Sequence, residues 1–340
     1  MTTFIYSVIV FAVLIFVHEL GHFVTAKAFG VKVNEFALGM GPVLLKKQVG
    51  ETQYSLRLVP IGGFCAMEGE DEDSDDDNAF NKKAAWQRGI ILAAGSLMNV
   101  ALTIVILSVL LFSAGYPTNE IREVSPESPA AAAGIIPGDE IRAINGSDIK
   151  EWDDIYTVIG SLQPGTDISV SIERNGQPMT LQTETAESED GRTIIGVLPV
   201  TEKKPLTAIE DGFRSTWMMT VAMADILKQL FAGDVAASDL TGPVGIVYLV
   251  GDSAKMGVQY VAYLAALISL NLAMINLLPF PALDGGRLLF LAIRKITGKA
   301  ITDEIEANIH RAGIILLLAL MVYVTWHDIL RFIVPIIGGK

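Results

Sequence analysis

Residues 2–26 read TTFIYSVIVFAVLIFVHELGHFVTA, and Glu19 is the one charged residue among them. Crossing a bilayer core takes roughly 20 mostly apolar residues, so the run predicts a transmembrane helix. No basic residue precedes it and no small-residue cleavage pattern follows, so it is expected to be retained rather than removed as a signal peptide. His18, Glu19 and His22 stand inside this span. Ionisable groups at bilayer depth are costly and normally face a protein interior. Residues four apart share a helix face, so both imidazoles can reach one metal ion. The glutamate beside them is placed to take a proton from water. The bland alternative is a polar cluster that only packs helices; with four histidines in 340 residues, the spacing favours the metal.

Working outward, the apolar signal recurs three times. Residues 89–115 and 256–283 carry no charge; residues 312–326 are also uncharged, and the apolar pattern resumes at 329–337. The chain is 51% hydrophobic with a mean hydropathy of +0.45, too apolar for an ordinary soluble enzyme. Its net charge of −13 argues against a nucleic-acid partner, which demands a basic face. Basic residues cluster between spans one and two (Lys27, Lys46, Lys47, Lys82, Arg88) and between spans three and four (Arg287, Arg294, Lys299, Arg311). Lys and Arg mark cytoplasmic loops, so both termini and the long segment between spans two and three are expected outside. Glu68 to Asp77 holds eight carboxylates in ten residues, expected to form a solvated loop because the spaced ligands of a calcium loop are missing. Cys65, the only cysteine, lies in an apolar setting and is expected to pack rather than react.

The segment between spans two and three holds a folded insert. Glu120 to Val124 reads as a strand, Ser128 to Gly134 as a short helix closed by glycine, and residues 135–146 as turn, strand and turn. Strands at 167–173 and 178–184 flank an Asn175-Gly176 turn. This order resembles a PDZ domain of the bacterial protease type. Ile195-Gly196-Val197 is either its peptide-binding loop or an ordinary strand glycine. Residues 205–231 have an amphipathic face of Phe213, Trp217, Val221, Ile226 and Leu230, suited either to the membrane surface or to the core of the inserted domain.

A catalytic zinc site takes three protein ligands, so His18 and His22 lack a partner. His18 is about 21 Å along the helix from Phe4, in the cytoplasmic half, where span three also ends. Asn276-Leu277-Leu278-Pro279-Phe280-Pro281-Ala282-Leu283-Asp284 breaks that helix with two prolines. The carboxylate of Asp284 is therefore the favoured third ligand. His310, among Asp303, Glu304, Glu306 and Arg311, is the weaker candidate, and His327 and Asp328 fall at the opposite end of span four.

His-Glu-x-x-His in the first span, Asn-x-x-Pro-x-Pro-x-Leu-Asp-Gly in the third and a PDZ-type insert between them resemble the site-2 proteases, above all the bacterial group that releases sigma factors. Residues 95–99 (Gly-Ser-Leu-Met-Asn) and 240–246 (Leu-Thr-Gly-Pro-Val-Gly-Ile) support the likeness. It implies Zn²⁺ on His18, His22 and Asp284, Glu19 as general base and Asn276 near the substrate carbonyl. It also implies a bacterial inner-membrane setting and cleavage of transmembrane protein substrates, such as pre-cleaved anti-sigma factors or remnant signal peptides. The insert would then meet a ligand peptide or a substrate ectodomain, while the spans contact lipid. Only one PDZ domain is present, so size filtering by two such domains does not carry over.

The expected architecture is a polytopic α-helical membrane protein: four transmembrane helices, a re-entrant β-hairpin and an α+β PDZ domain inserted between helices 2 and 3. Residues 1–115 hold the first two spans with the β-loop and acidic loop; 116–202 the PDZ domain; 203–255 the amphipathic helix and a loop; 256–340 the last two spans. The β-loop is read from Val43–Val49 and Thr52–Val59 about Gly50. A protease must unwind a transmembrane helix and satisfy the freed backbone, so substrate is expected as an added strand beside Gln53, Tyr54, Ser55, Leu56, Arg57, Leu58 and Val59. A membrane scaffold that captures peptide tails, or a metal transporter, are the rival readings; neither needs Glu19 as a base.

Overall fold

The computed structural model describes residues 2–70, 72–234, 241–297 and 303–334. Asp71, Leu240, Lys299 and residues 335–337, all used in the sequence reading, lie outside them. Among the described residues four helices are long and apolar enough to cross a membrane: Thr3–Ala28, Ala85–Ala114, Val258–Asn276 and Glu304–Ile333. The chain divides into two compact units, residues 1–110 with 209–340, and residues 111–208.

The first unit is built on α1 (Thr2–Ala28) and α2 (Ala85–Ala114). These helices approach closely because glycine faces the crossing: a Cβ on Gly21 would lie 2.8 Å from Met98 Cγ and 2.7 Å from the Ala94 carbonyl carbon. Between them run β1 (Val33–Val49) and β2 (Thr52–Met67). Residues 43–49 and 52–59 form the expected hairpin, with Val49 opposite Thr52 and Leu45 opposite Leu56. Both strands are longer than the sequence suggested and fold back on themselves. Phe36 and Leu38 face Tyr54 and Leu56 on one side and Cys65 and Gly63 on the other. Four limbs thus lie side by side in the order 62–67, 33–40, 52–59, 43–49. Phe36 anchors the sheet to α1 through edge contacts with Phe16 and Phe23.

The expected span 256–283 is shorter in the structure. It divides into α7 (Val258–Asn276), an irregular turn and α8 (Asp284–Thr297), because Pro279 and Pro281 bring no N–H to continue a helix. Residues 243–256, read as loop, form a helix, α6 (Pro243–Met256), that packs on α1; its glycines and short length hide it in the sequence. The last span, α9 (Asp303–Asp328), ends at a buried carboxylate. Asp328 accepts from the backbone N–H groups of Gly242 (3.1 Å) and Gly245 (2.8 Å), so one helix supplies the N-terminal cap of another. α5 (Pro205–Ala232) exposes Phe213, Trp217, Val221 and Ile226.

The second unit is an α+β domain. Its sheet runs β10 (Val197–Glu202), β3 (Tyr116–Val124), β4 (Glu140–Ile144), β6 (Asp167–Arg174), β7 (Gln177–Glu184), with β5 (Ser147–Asp148) on β4; β8 (Ala186–Glu187) and β9 (Thr193–Ile194) pair separately. The short α3 (Pro129–Ala132) is capped by Ser128, and α4 (Trp152–Gly160) by a reciprocal Glu151/Asp154 box. Ile121, Ile141, Ile144, Ile168, Ile172 and Trp152 form its core. Asn175 and Gly176 both have positive φ, 52° and 76°, as a two-residue hairpin turn requires. The Pro137-Gly138-Asp139 turn is pinned from the far strand: fully buried Asp139 receives Arg174 Nε at 2.7 Å and the Ile136 N–H at 2.9 Å. Gly196 lies just before β10 with φ of 83° and packs against Ser128, and its carbonyl accepts the Ser125 N–H.

Candidate metal centre

The candidate metal site assembles from two separated pieces of chain. α1 presents His18 and His22 on one buried face, and the turn after α7 brings Asp284 to them. His18 Nε2 lies 3.3 Å from His22 Nε2, and Asp284 Oδ2 is 3.3 Å and 3.4 Å from the two nitrogens. Zinc holds nitrogen and carboxylate oxygen at about 2.0–2.1 Å in a tetrahedron, whose edge is then about 3.3–3.4 Å. The triangle of ligand atoms has that edge. Among the described residues this is the one group of three such side chains close enough to share an ion.

Protonation makes the same case. His22 Nδ1 lies 2.8 Å from the Ile91 carbonyl, which can only accept, so Nδ1 carries the proton and Nε2 offers a lone pair. His18 Nδ1 lies 3.5 Å from the Asn99 side-chain amide, whose buried oxygen has no hydrogen-bond partner. Turning that amide end for end gives the oxygen the His18 Nδ1–H and frees His18 Nε2 in turn. Asp284 Oδ2 is likewise buried with no hydrogen-bond donor. Three electron-rich atoms converge, and a cation is what relieves them. Gly95 of α2 forms the floor: a Cβ there would lie 2.8 Å from His18 Nε2. The residues fit zinc.

Glu19 is not part of that triangle; its side chain lines the same cavity, packed against Gly63. The cavity, about 430 Å³, is lined by His18, Glu19, His22, Asp284, Ala282, Leu283 and the limb Gly63–Met67. Asn276, the last residue of α7, places its amide nitrogen 3.3 Å from His18 Nε2. The expected substrate strand needs correction. Residues 53–56 pair on both sides, with 35–38 and with 45–48, and do not line the cavity. The free edges are 43–49 and 62–67, and only the second faces the metal site. Cys65 is buried, and burial followed by the charges of Glu70 and Glu19 pushes its thiol up from its ordinary value, which disfavours the thiolate that a nucleophile needs. The acidic loop makes contacts of its own: Glu68 receives Ser74 Oγ and Asn34 Nδ2, while Lys32 meets Asp76.

Sequence reasoning missed three contributors. Asn99 was noted in its motif without a role, and Gly95 beside it works through the side chain it lacks. His310, set aside as a ligand, instead accepts the Ala282 N–H at 2.8 Å through Nδ1.

A His-Glu-x-x-His helix completed by a distant carboxylate, set among apolar helices, defines a membrane metallopeptidase. The chain belongs to peptidase family M50, whose profile matches residues 6–320. It is 33% identical to the zinc metalloprotease RasP of Geobacillus kaustophilus, over 96% of this chain and 97% of that one. It is 32% identical to the regulator of sigma-W protease RasP of Bacillus subtilis, over 97% of this chain and 98% of that one. Among solved structures, the PDZ domain of the SdrC-like protein Lmo2051 from Listeria monocytogenes matches at 21% identity with a TM-score of 0.23, covering 25% of this chain and 90% of that domain. The chain is a metalloendopeptidase.

Proposed function

We propose that the protein hydrolyses peptide bonds of transmembrane segments in regulated intramembrane proteolysis, on pre-cleaved membrane proteins such as anti-sigma factors. The observation that carries this is a His18–His22–Asp284 triangle with zinc's edge length, its histidines buried, among helices apolar enough to span a bilayer. His18, His22 and Asp284 would hold the zinc, which supplies Lewis acidity toward water and the scissile carbonyl. Glu19, lining the same cavity, takes the proton of the attacking water and returns it to the leaving amine. Asn276, at the end of α7, steadies the developing oxyanion.

The substrate enters extended, and its freed N–H and C=O groups pair with the free edge Gly63–Met67 rather than with residues 53–59. The exposed apolar end formed by Met40, Val43, Leu44 and Leu45 suits a re-entrant hairpin that enters lipid. The Lys and Arg distribution supports a site toward the cytoplasm and an inserted domain outside. The test is reconstitution of the full chain in liposomes with a pre-trimmed single-span substrate. Wild type releases the soluble fragment, and Glu19→Gln accumulates the uncut stub while keeping its zinc. Cleavage by Glu19→Gln at the wild-type rate would remove the proposed base.

A further inference from the structure

We infer that His310 is a positioning residue: from α9 it fixes the left-handed backbone of Ala282, and through it the third metal ligand, Asp284. The inference rests on the metal-site reading above. Ala282 has φ of +76°, a conformation that a Cβ makes unfavourable and that glycine or asparagine usually fills. It lies two residues before Asp284. The turn satisfies its other donors locally: Phe280 N–H bonds to Leu278 (2.7 Å), Leu283 N–H to Phe280 (3.2 Å), Gly286 N–H to Leu283 (3.0 Å), and Pro281 has none. The Ala282 N–H points elsewhere, to His310 Nδ1 at 2.8 Å.

The histidine is itself held. Its ring packs on Phe290 at 5.5 Å between centroids, and Nε2 faces Glu306 at 3.8 Å. A proton on Nε2 directed at that carboxylate leaves Nδ1 as an acceptor, the role that the Ala282 N–H needs. One turn further along α9, Gly313 leaves room for Pro281, whose carbonyl oxygen would lie 2.7 Å from a Cβ there. Two consecutive residues of the ligand-bearing turn are thus seated on one face of the last span, by a hydrogen bond and by a missing side chain. Strained backbone persists where surrounding structure over-determines it, and here that structure is α9.

The test is zinc affinity of the full chain in detergent, by competition with a chromophoric chelator. His310→Leu, which keeps an apolar contact with Phe290, should weaken zinc about tenfold, the lower end for residues that orient metal ligands. Ala282→Gly adopts the same φ without strain and should stay within about twofold of wild type. In the double variant the loss should shrink to about threefold, since glycine no longer has to be held. Multiplying single effects instead would make His310 merely structural and overturn the inference, as would wild-type affinity in His310→Leu. His310→Gln offers a side-chain carbonyl to the same N–H and keeps the question answerable if the leucine variant does not fold; it should bind zinc like wild type, and a tenfold loss would count against the proposal. Asp284→Asn is the separate control: full zinc binding in that variant would overturn the metal-site reading itself.

Discussion

Replacing Gly95 by alanine puts one methyl group into the floor of the metal site. Built on the Gly95 backbone, the new carbon lies 2.7 Å from His18 Cε1 and 2.8 Å from His18 Nε2, with His22 Nε2 also in contact. Ordinary contact begins near 3.4 Å, so the imidazole must retreat by about 0.6–0.7 Å. Metal–ligand distances tolerate about 0.2 Å. The ligand triangle therefore opens well beyond what zinc accepts, and the affinity should fall at least about a hundredfold, or ~2.7 kcal/mol. The helix itself gains, because alanine is favoured over glycine in a helix interior by ~0.8–1 kcal/mol. The two effects have opposite signs and separate readouts. Chelator competition should show the loss of zinc, while the metal-free protein melts no lower than wild type. A Gly95→Ala protein that binds zinc within threefold of wild type would refute the packing argument.

Three further outcomes follow from the same geometry. Asn99→Leu should weaken zinc by about 10–100-fold and Asn99→Asp much less, since a carboxylate still accepts from His18 Nδ1; equal losses would remove Asn99 from the orienting role. A photo-crosslinking residue at Ala66 should capture a transmembrane substrate and one at Leu45 should not, because the first edge faces the cavity; the reverse pattern would move the substrate to the other edge. Burial pushes the Asp139 carboxyl up, but hydrogen bonds from Arg174 and Ile136 and the Arg174 charge outweigh it and hold it below its ordinary value. A depressed folded-state value gives stability that is complete above the unfolded value, about 3.9, and lost as pH falls through the folded one. The inserted domain should therefore loosen in acid below about pH 4, and Arg174→Met should cost about 3–5 kcal/mol at neutral pH by stranding a buried carboxylate. Unchanged melting of Arg174→Met would sink that account.

Much of this architecture is legible in the sequence because its signals are local. Twenty apolar residues announce a span, the four-residue spacing of His18 and His22 puts both on one face, and two prolines before Asp284 announce a broken helix. The inserted domain is equally readable: Asn175-Gly176 fixes a hairpin and Ser128 caps a helix. What escaped was long-range. Whether residues 52–59 lie at an edge depends on where 33–40 and 62–67 fold back, and alternation along one strand carries no such information. α6 is short and glycine-containing, and its N-terminal cap sits 83 residues away at Asp328. Asn99, Gly95 and His310 act through groups on other helices, one of them by having no side chain.

The cap at Asp328 and the hydrogen bond at His310 sit on the same helix, 18 residues apart. At 1.5 Å per residue they are about 27 Å apart along its axis, close to the thickness of a bilayer's hydrocarbon layer. The last span is therefore a strut with a fixture at each end, one seating the turn that bears Asp284 and the other closing the start of α6. Such a strut tolerates new side chains along its lipid-facing sides but not a new length. One inserted residue between the fixtures would turn the far end by about 100°, carrying Asp328 away from the Gly242 and Gly245 amides if His310 stays in place. Four inserted residues would nearly restore the facing direction yet push the ends about 6 Å further apart. Neither change lets both fixtures close at once, so this helix measures the distance between them as well as crossing it.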